Sequence, residues 1–368
     1  NNSITACVVG IYAQGTSTSS TGGNDDLNIT GNTITYNSNL ASNVGINVNN
    51  SLTSAINQNT VSITTSATSG TSIAMQLAGT TGATVSQNSV SVSTAATTAP
   101  VGISLETNFV SSTVSRNIVS QAITSNTDGY GGRGITVGTG TASSNLTIAN
   151  NIVYGVNGSN WSSFGNSSSI GIAIGIIGNT STLTTTTGGV NLYLNSVSMT
   201  GSMGSGSTTA ITAALYVGSG ASALDIRNNI FSNTQVATSA TQKNYSIYSA
   251  AANTAYTTIN YNDYYVSNSF NAASAIPGFI GSDRTDLAGI QSGFGQNANS
   301  LTIDPQFTGA TDLHINAGLT PTGLESGGVA IGGISVDYDG HIRPGPAGSV
   351  NGGGTAPDIG ADEFDGVP

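Results

Sequence analysis

A six-residue pattern recurs along the first 264 residues and restricts the fold more than any other feature of the chain. In each complete copy, two apolar residues five positions apart flank an asparagine three positions after the first, as in Ile148, Asn151 and Val153. The asparagines are Asn2, Asn32, Asn59, Asn88, Asn117, Asn151, Asn195, Asn229 and Asn262, with spacings of 27 to 44 residues. Self-similarity at a period of about 20 to 50 residues indicates a solenoid.

The asparagine indicates how each corner of this solenoid is built. Asparagine tolerates the left-handed backbone conformation that a sharp bend needs. Its amide can also bond to its own backbone or to an identical asparagine in the next repeat. The sequence therefore predicts a structural role for these corner asparagines.

A second segment of each repeat has the pattern of a β-strand. A small residue precedes alternating apolar residues, as in residues 44–48, 101–105 and 170–174, and such alternation is typical of a strand with one buried face. The distance across the asparagine corner is constant, whereas the distance from the second strand to the third varies. We therefore predict an all-β parallel β-helix of about eight coils with three strands each, over residues 1–264. Residues 265–368 are predicted to form a C-terminal cap.

The charge distribution excludes several classes of partner. Only 6% of residues are charged, against about 25% in ordinary domains, and the chain has a single lysine. Nucleic acids and anionic membranes require clustered positive charge, so we expect neither as a partner. The sequence contains no run of about 18 apolar residues, so no membrane span is predicted. The single cysteine, Cys7, is expected to be a small buried residue.

Charged residues are absent from the central repeats. Residues 134–224 contain none, although bond cleavage in a polysaccharide needs positioned acid and base groups. We therefore predict no catalytic residue. The acidic pair Asp25 and Asp26 can bind Ca²⁺ or act as acid and base, or can be a solvated entry to a strand.

Two further sets of residues are candidates for binding. Trp161 and Phe164 lie in a loop rich in Gly, Asn and Ser, where aromatic rings either stack on sugars or fold back over the coil. Asp337 and Asp339, with Asp358, can hold a cation such as Ca²⁺. The alternative is a structural network of these acids with Arg343 and backbone amides. No other cofactor is predicted.

The repeats and the tail together suggest a family. The tail contains Asp304-Pro305-Gln306-Phe307, Leu313-His314, Asp337-Tyr338-Asp339-Gly340 and residues 358–364. With the asparagine corners, it resembles the pectate-lyase-like proteins that are secreted or surface-exposed in Bacteroidota, and this resemblance implies a right-handed parallel β-helix. That resemblance implies a secreted or cell-surface location, with the type IX secretion machinery as a partner. Because the chain begins within a repeat, we expect it to continue into a longer polypeptide.

These observations lead to one functional expectation and two alternatives. The expected function is that of a non-catalytic stalk or adhesin that contacts glycans or other surface proteins. The first alternative is a polysaccharide lyase or glycoside hydrolase whose catalytic residues lie outside this sequence or at Asp25 and Asp26. The second is a filament subunit or passive cargo protein.

Overall fold

The chain winds as a parallel β-helix of about eight turns, built from three sheets. The computed structural model describes residues 2–5, 8–17, 23–127, 130–165, 168–180, 182, 185–316, 322–345 and 356–366. Cys7 lies outside the described residues. The all-β parallel helix predicted from the repeats is confirmed.

Each coil contributes one strand to each sheet. Sheet 1 follows the asparagine corner and contains Ser3–Thr5, Thr33–Ser38, Thr60–Thr65, Ser89–Thr94, Ile118–Thr124, Ile152–Tyr154, Val156–Asn157, Ser196–Met199, Ile230–Asn233 and Asp263–Val266. Sheet 2 contains Val9–Gln14, Asn24–Asp25, Asn43–Leu52, Ser72–Thr81, Val101–Leu105, Arg133–Val137, Ile170–Ile174, Ile211–Val217, Lys243–Ser249, Ala275–Ile280 and the antiparallel Ser282–Arg284. Sheet 3 leads into the corner and contains Asn28–Thr30, Ala55–Asn57, Thr84–Ser86, Thr113–Ser115, Leu146–Ala149, Thr187–Tyr193, Ala221–Arg227 and Tyr256–Asn260.

The remaining elements follow the last complete coils. They are the 3-10 helices Asn253–Ala255 and Ala272–Ser274, the α-helix Leu287–Phe294, and a hairpin of Phe307–Gly309 with Asp312–Ile315. No helix among the described residues is long and apolar enough to cross a membrane.

Register between coils stacks equivalent side chains in columns. Before each corner, one apolar residue pairs with its counterpart in the next coil, as Val114 does with Ile148 and Ile148 does with Leu192. The members of this column are Ile29, Ile56, Val85, Val114, Ile148, Leu192, Ile226 and Ile259, and all are buried. The interior is therefore a continuous apolar core along the helix axis, as the periodicity predicts.

The small residue near the start of a sheet 2 strand marks a close approach of sheet 1 and sheet 2. A Cβ atom on Gly134 would lie 2.5 Å from Cγ1 of Val153, and one on Gly171 would lie 2.4 Å from Cγ1 of Val197. Real Cβ atoms do not approach so closely, so no larger residue fits at these two positions without movement of sheet 1 or sheet 2.

The corner asparagines do not have the left-handed backbone, and that part of the prediction is wrong. From Asn32 onward, the residue immediately before each of them has it, with φ of 58° at Gln58, 57° at Arg116 and 53° at Asn150. These outer corner residues are Gly31, Gln58, Gln87, Arg116, Asn150, Leu194, Asn228 and Tyr261. The left-handed residue makes the bend, and the asparagine after it is then free to direct its side chain inward.

The asparagine side chains form a ladder that links every coil, which confirms the predicted bonding between identical asparagines. At Asn117, Oδ1 accepts from the backbone N of Asn88 at 3.0 Å and from its Nδ2 at 2.9 Å. The Nδ2 of Asn117 donates to Oδ1 of Asn151 at 2.9 Å and to the carbonyl of Val85 at 3.0 Å. Both polar atoms of this buried amide are thus satisfied.

The C-terminal end of the core is closed by an α-helix. Parallel pairing continues past residue 264, because Ala275–Ile280 pairs with the sheet 2 strand of the preceding coil. The helix Leu287–Phe294 then places Ile290 and Phe294 in the apolar core, with Asp286 capping its N-terminus. The asparagine ladder ends nearby, where the backbone N of Asn262 donates to the hydroxyl of Ser300 at 3.1 Å.

The rest of the C-terminal region covers the side of the β-helix. We call residues 322–345 and 356–366 the strap. Nδ2 of Asn228 donates to the carbonyl of Val329 at 2.7 Å, and Nδ2 of Asn150 donates to that of Val336 at 2.8 Å. The strap therefore runs back over the outer corners of earlier coils, whereas the sequence predicted a cap at the end of the stack.

Buried Asp263 is expected to make the closed end sensitive to pH. Oδ1 of Asp263 accepts from the backbone N of Ile303 at 2.9 Å, and Oδ2 has no hydrogen-bond partner among the residues that the structure describes. Desolvation by burial raises the pKa of this carboxyl to about 8, whereas the unfolded chain ionises it near pH 4. Ionisation opposes folding, so stability should fall as the pH rises from about 4 through about 8.

The measurement is the free energy of unfolding in denaturant at pH 5 and at pH 8. Asp263→Asn should reduce the fall in this free energy by up to about 1.4 kcal/mol for each pH unit between about 4 and about 8, where the carboxyl is ionised in the unfolded chain and protonated in the folded protein. Asp25→Asn, which replaces an exposed carboxyl by an amide in the same way, is the matched control. Parallel pH profiles for wild type and Asp263→Asn would contradict the assignment.

Candidate functional site

An open groove of about 540 Å³ lies between the outer face of sheet 3 and the strap. Its floor is formed by three adjacent strands, Thr113–Ser115, Leu146–Ala149 and Thr187–Tyr193, together with Arg227 at the end of the next strand. Strap residues 331–336 form the wall. The groove follows the stacking direction of the coils, so it suits an extended ligand.

The floor is polar because strand alternation directs the apolar residues inward. Thr147 and Asn191 are register partners on adjacent strands and line the groove, whereas their neighbours Ile148 and Leu192 are in the core. Ser115 also lines the groove, one residue beyond buried Val114. Hydroxyl and amide groups from successive coils are therefore presented at the spacing of the strands, about 4.8 Å.

At one end of the groove, the lining residues Tyr193 and Arg227 form a fixed cluster with Asp225, which is not part of the lining. The guanidinium of Arg227 donates to Asp225 through Nε to Oδ1 and through Nη2 to Oδ2, both at 2.7 Å. The hydroxyl of Tyr193 donates to Oδ2 of Asp225 at 2.7 Å, and the guanidinium carbon of Arg227 lies 5.2 Å from the Tyr193 ring centroid. Both carboxylate oxygens of Asp225 are therefore engaged.

The second arginine of the groove is held by the strap. Arg116 is an outer corner residue whose Nε donates to the carbonyl of Tyr338 at 2.7 Å. Within the part of the chain that the structure describes, Arg116 forms no ion pair. The groove thus has donors at Arg116 and Arg227, in a chain with a net charge of −11.

The chemistry available in the groove is hydrogen bonding. Among the residues that the structure describes, its lining contains no carboxylate and no histidine. Burial and the hydrogen bond to Asp225 raise the pKa of Tyr193 to about 12, so the phenol is protonated at neutral pH and is not a general base. The arrangement supplies hydroxyl, amide and guanidinium groups, which match the hydroxyl groups of a polar ligand.

The aromatic residues predicted to bind glycans lie outside this groove. Phe164 is buried at 4% exposure, with its ring centroid 4.9 Å from that of Tyr216 and 4.7 Å from that of Tyr248. Trp161 is partly exposed, and its carbonyl accepts from the backbone N of Ile211 at 2.9 Å. Phe164 therefore packs on the outer face of sheet 2 and has little surface available to a sugar.

Buried Arg133 holds the loops beside this aromatic cluster. Its guanidinium donates to the carbonyls of Gly178 at 2.7 Å, Thr180 at 2.9 Å and Gly165 at 2.5 Å. Burial lowers the pKa of Arg133 to about 10. This arginine has a structural role, since it binds loop carbonyls and is fully buried.

The acidic candidates have separate positions. Asp25 and Asp26 are exposed at the edge of sheet 2, where Oδ1 of Asp26 accepts from the hydroxyl of Thr53 at 2.6 Å. Asp337 is fully buried, and its carboxylate accepts from the backbone N of Gly340, His341 and Glu363. Asp358 accepts from the backbone N of Ser326 and Phe364. Asp337 and Asp358 thus belong to a network with backbone amides, the structural alternative in the sequence analysis.

Sequence reasoning did not find Tyr193, Asp225 and Arg227. A signal was present, because Tyr193 and Arg227 each directly follow the apolar residue that precedes a corner, and Asp225 lies two residues before Arg227. Alignment of these positions across the repeats shows the three residues side by side on the outer face of sheet 3.

Comparison with models of known protein families, with curated proteins and with solved structures found no match.

Proposed function

We propose that the chain is a non-catalytic β-helix that binds glycans in the groove between sheet 3 and the strap. The observation that carries this proposal is the groove lining, whose described residues supply hydroxyl, amide and guanidinium groups but no carboxylate or histidine. Such a surface can hold a polyhydroxylated chain, but the lining itself supplies no acid and base pair for its cleavage.

The proposal includes a location at the cell surface or outside the cell. It rests on the resemblance of the repeats and of residues 304–307, 337–340 and 358–364 to exported β-helix proteins. A charge-poor surface of Ser, Thr and Asn is compatible with a stalk or adhesin that presents the groove to its ligand. Export by the type IX machinery is part of the same proposal.

A bulky residue on the groove floor should abolish binding. We expect the purified chain to bind members of an immobilised glycan panel, and Thr147→Trp to weaken that binding at least tenfold because the indole fills the groove. Thr84→Trp is the matched control, since Thr84 lies in the same column of sheet 3, outside the groove lining. The measurement is the dissociation constant of the best glycan with each variant.

Two outcomes would contradict the proposal. Equal loss of binding in Thr147→Trp and Thr84→Trp would separate binding from the groove. Release of reducing ends from a bound glycan, lost on changing Asp25 or Asp26, would instead favour the enzyme alternative.

A further inference from the structure

The two histidines of the chain, His314 and His341, both lie close to Asp339, on the side of the strap that faces the Asp312–Ile315 strand. Nε2 of His314 lies 2.8 Å from Oδ2 of Asp339. His341, the other histidine, has Nδ1 3.3 Å from Oδ2 of Asp337. His314, Asp339 and Asp362 each provide one potential ligand atom, and these three atoms lie within 4.8 Å of one another.

The ring of His314 is already oriented for coordination. Its Nδ1 is in hydrogen-bond contact with Oδ1 of Asp312, two residues earlier on the same strand. A carboxylate in that position fixes the ring and directs Nε2 away from it, which is the usual support of a metal-binding histidine. Nε2 is consequently directed at Asp339.

One carboxylate oxygen of Asp362 is available to a ligand. The side chain is only 7% exposed, and its Oδ2 accepts from the backbone N of Ile315 at 2.9 Å. Its Oδ1 makes no hydrogen bond to any residue that the structure describes. Asp362 can therefore offer one carboxylate oxygen to an ion beside His314 and Asp339.

We propose that His314, Asp339 and Asp362 bind one divalent transition-metal ion, such as Zn²⁺, with Asp312 as the positioning residue. One imidazole and two carboxylates form a mixed nitrogen and oxygen ligand set, which favours Zn²⁺ over Ca²⁺ and Mg²⁺. Asp337, a cation candidate in the sequence, is excluded from this set because backbone amides occupy its carboxylate. The inference does not depend on the proposed glycan binding.

Such an ion would fasten the strap. Its ligands come from the hairpin strand Asp312–Ile315, from the turn at Asp339 and from the final segment at Asp362. These segments are distant in sequence, so an ion held between them would oppose detachment of the strap.

The test is calorimetric titration of the whole chain, stripped of metal, with ZnCl₂ and in parallel with CaCl₂. We expect one Zn²⁺ per chain, a higher melting temperature with Zn²⁺ and much weaker binding of Ca²⁺. His314→Ala should weaken Zn²⁺ binding at least tenfold and remove the shift in melting temperature. His341→Ala is the comparison variant, since His341 shares Asp339 with a second possible ligand group of Asp337, Asp339 and His341, and it should change the affinity by less than about threefold.

Asp339→Asn provides a second variant, because this exposed residue can be changed without loss of the fold. It should weaken Zn²⁺ binding while the melting temperature in chelator stays at the wild-type value. The absence of saturable Zn²⁺ binding would overturn the proposal, as would equal effects of His314→Ala and His341→Ala. Binding of Ca²⁺ as tight as that of Zn²⁺ would overturn the metal class.

Discussion

Replacement of Asn117 by alanine is expected to destabilise the β-helix by about 3–5 kcal/mol, near the upper end for a single substitution. Asn117 is fully buried and connects the coils on both sides of it. Its removal leaves the backbone N of Asn88 and the carbonyl of Val85 without these partners in a site that water does not reach. Each orphaned buried group costs about 1–3 kcal/mol.

The ladder itself supplies the control. Asn2 is exposed at the first rung, where it donates to Asn32 but receives nothing from a preceding coil among the described residues. Asn2→Ala should therefore cost less than about 1 kcal/mol. Denaturant unfolding of Asn117→Ala, Asn2→Ala and wild type measures the difference. Equal stability of the two variants would show that the buried rungs contribute no more than an exposed hydrogen bond.

The repeat predicted the ladder but misplaced the left-handed residue, for a physical reason. A rung must bond to an identical rung, so asparagine recurs at that position in every coil. The bend beside it requires only a backbone that adopts positive φ, and residues as different as Gly31, Gln58, Leu194 and Tyr261 do so there. A pattern based on identity therefore finds the ladder and overlooks the bend.

The position of the strap, and with it the groove, could not be predicted from the sequence for a related reason. Within the helix, each residue contacts the equivalent position one coil later, so the period predicts the contact. The strap binds Arg116 through Tyr338, which lies 222 residues further along the chain, and Asn150 through Val336, which lies 186 residues further. No periodicity relates these residues, so the sequence does not predict the wall of the groove.

Replacement of Arg343 by methionine is expected to release the strap at a cost of about 3–5 kcal/mol, the usual effect of breaking a buried ion pair. Arg343 is 6% exposed, and its Nη1 donates to Oε2 of Glu363 at 2.6 Å. Its guanidinium also donates to the carbonyls of Asp358 and Gly360. Without this cation, the Glu363 carboxylate remains buried beside the acidic side chain of Asp358.

The loss should be local, because the strap contacts the outside of the coils while the apolar core lies within them. Amide hydrogen exchange is expected to accelerate at Ser326 and Phe364, whose backbone N groups bind Asp358, and to stay slow in the three sheets. Adding Glu363→Gln to Arg343→Met removes the stranded charge and keeps an acceptor for the backbone N of Asp358, so it should restore at least half of the lost protection. If the double variant instead exchanges as fast as Arg343→Met, the strap is held by its apolar contacts with Ile230 and Ile315 rather than by the ion pair.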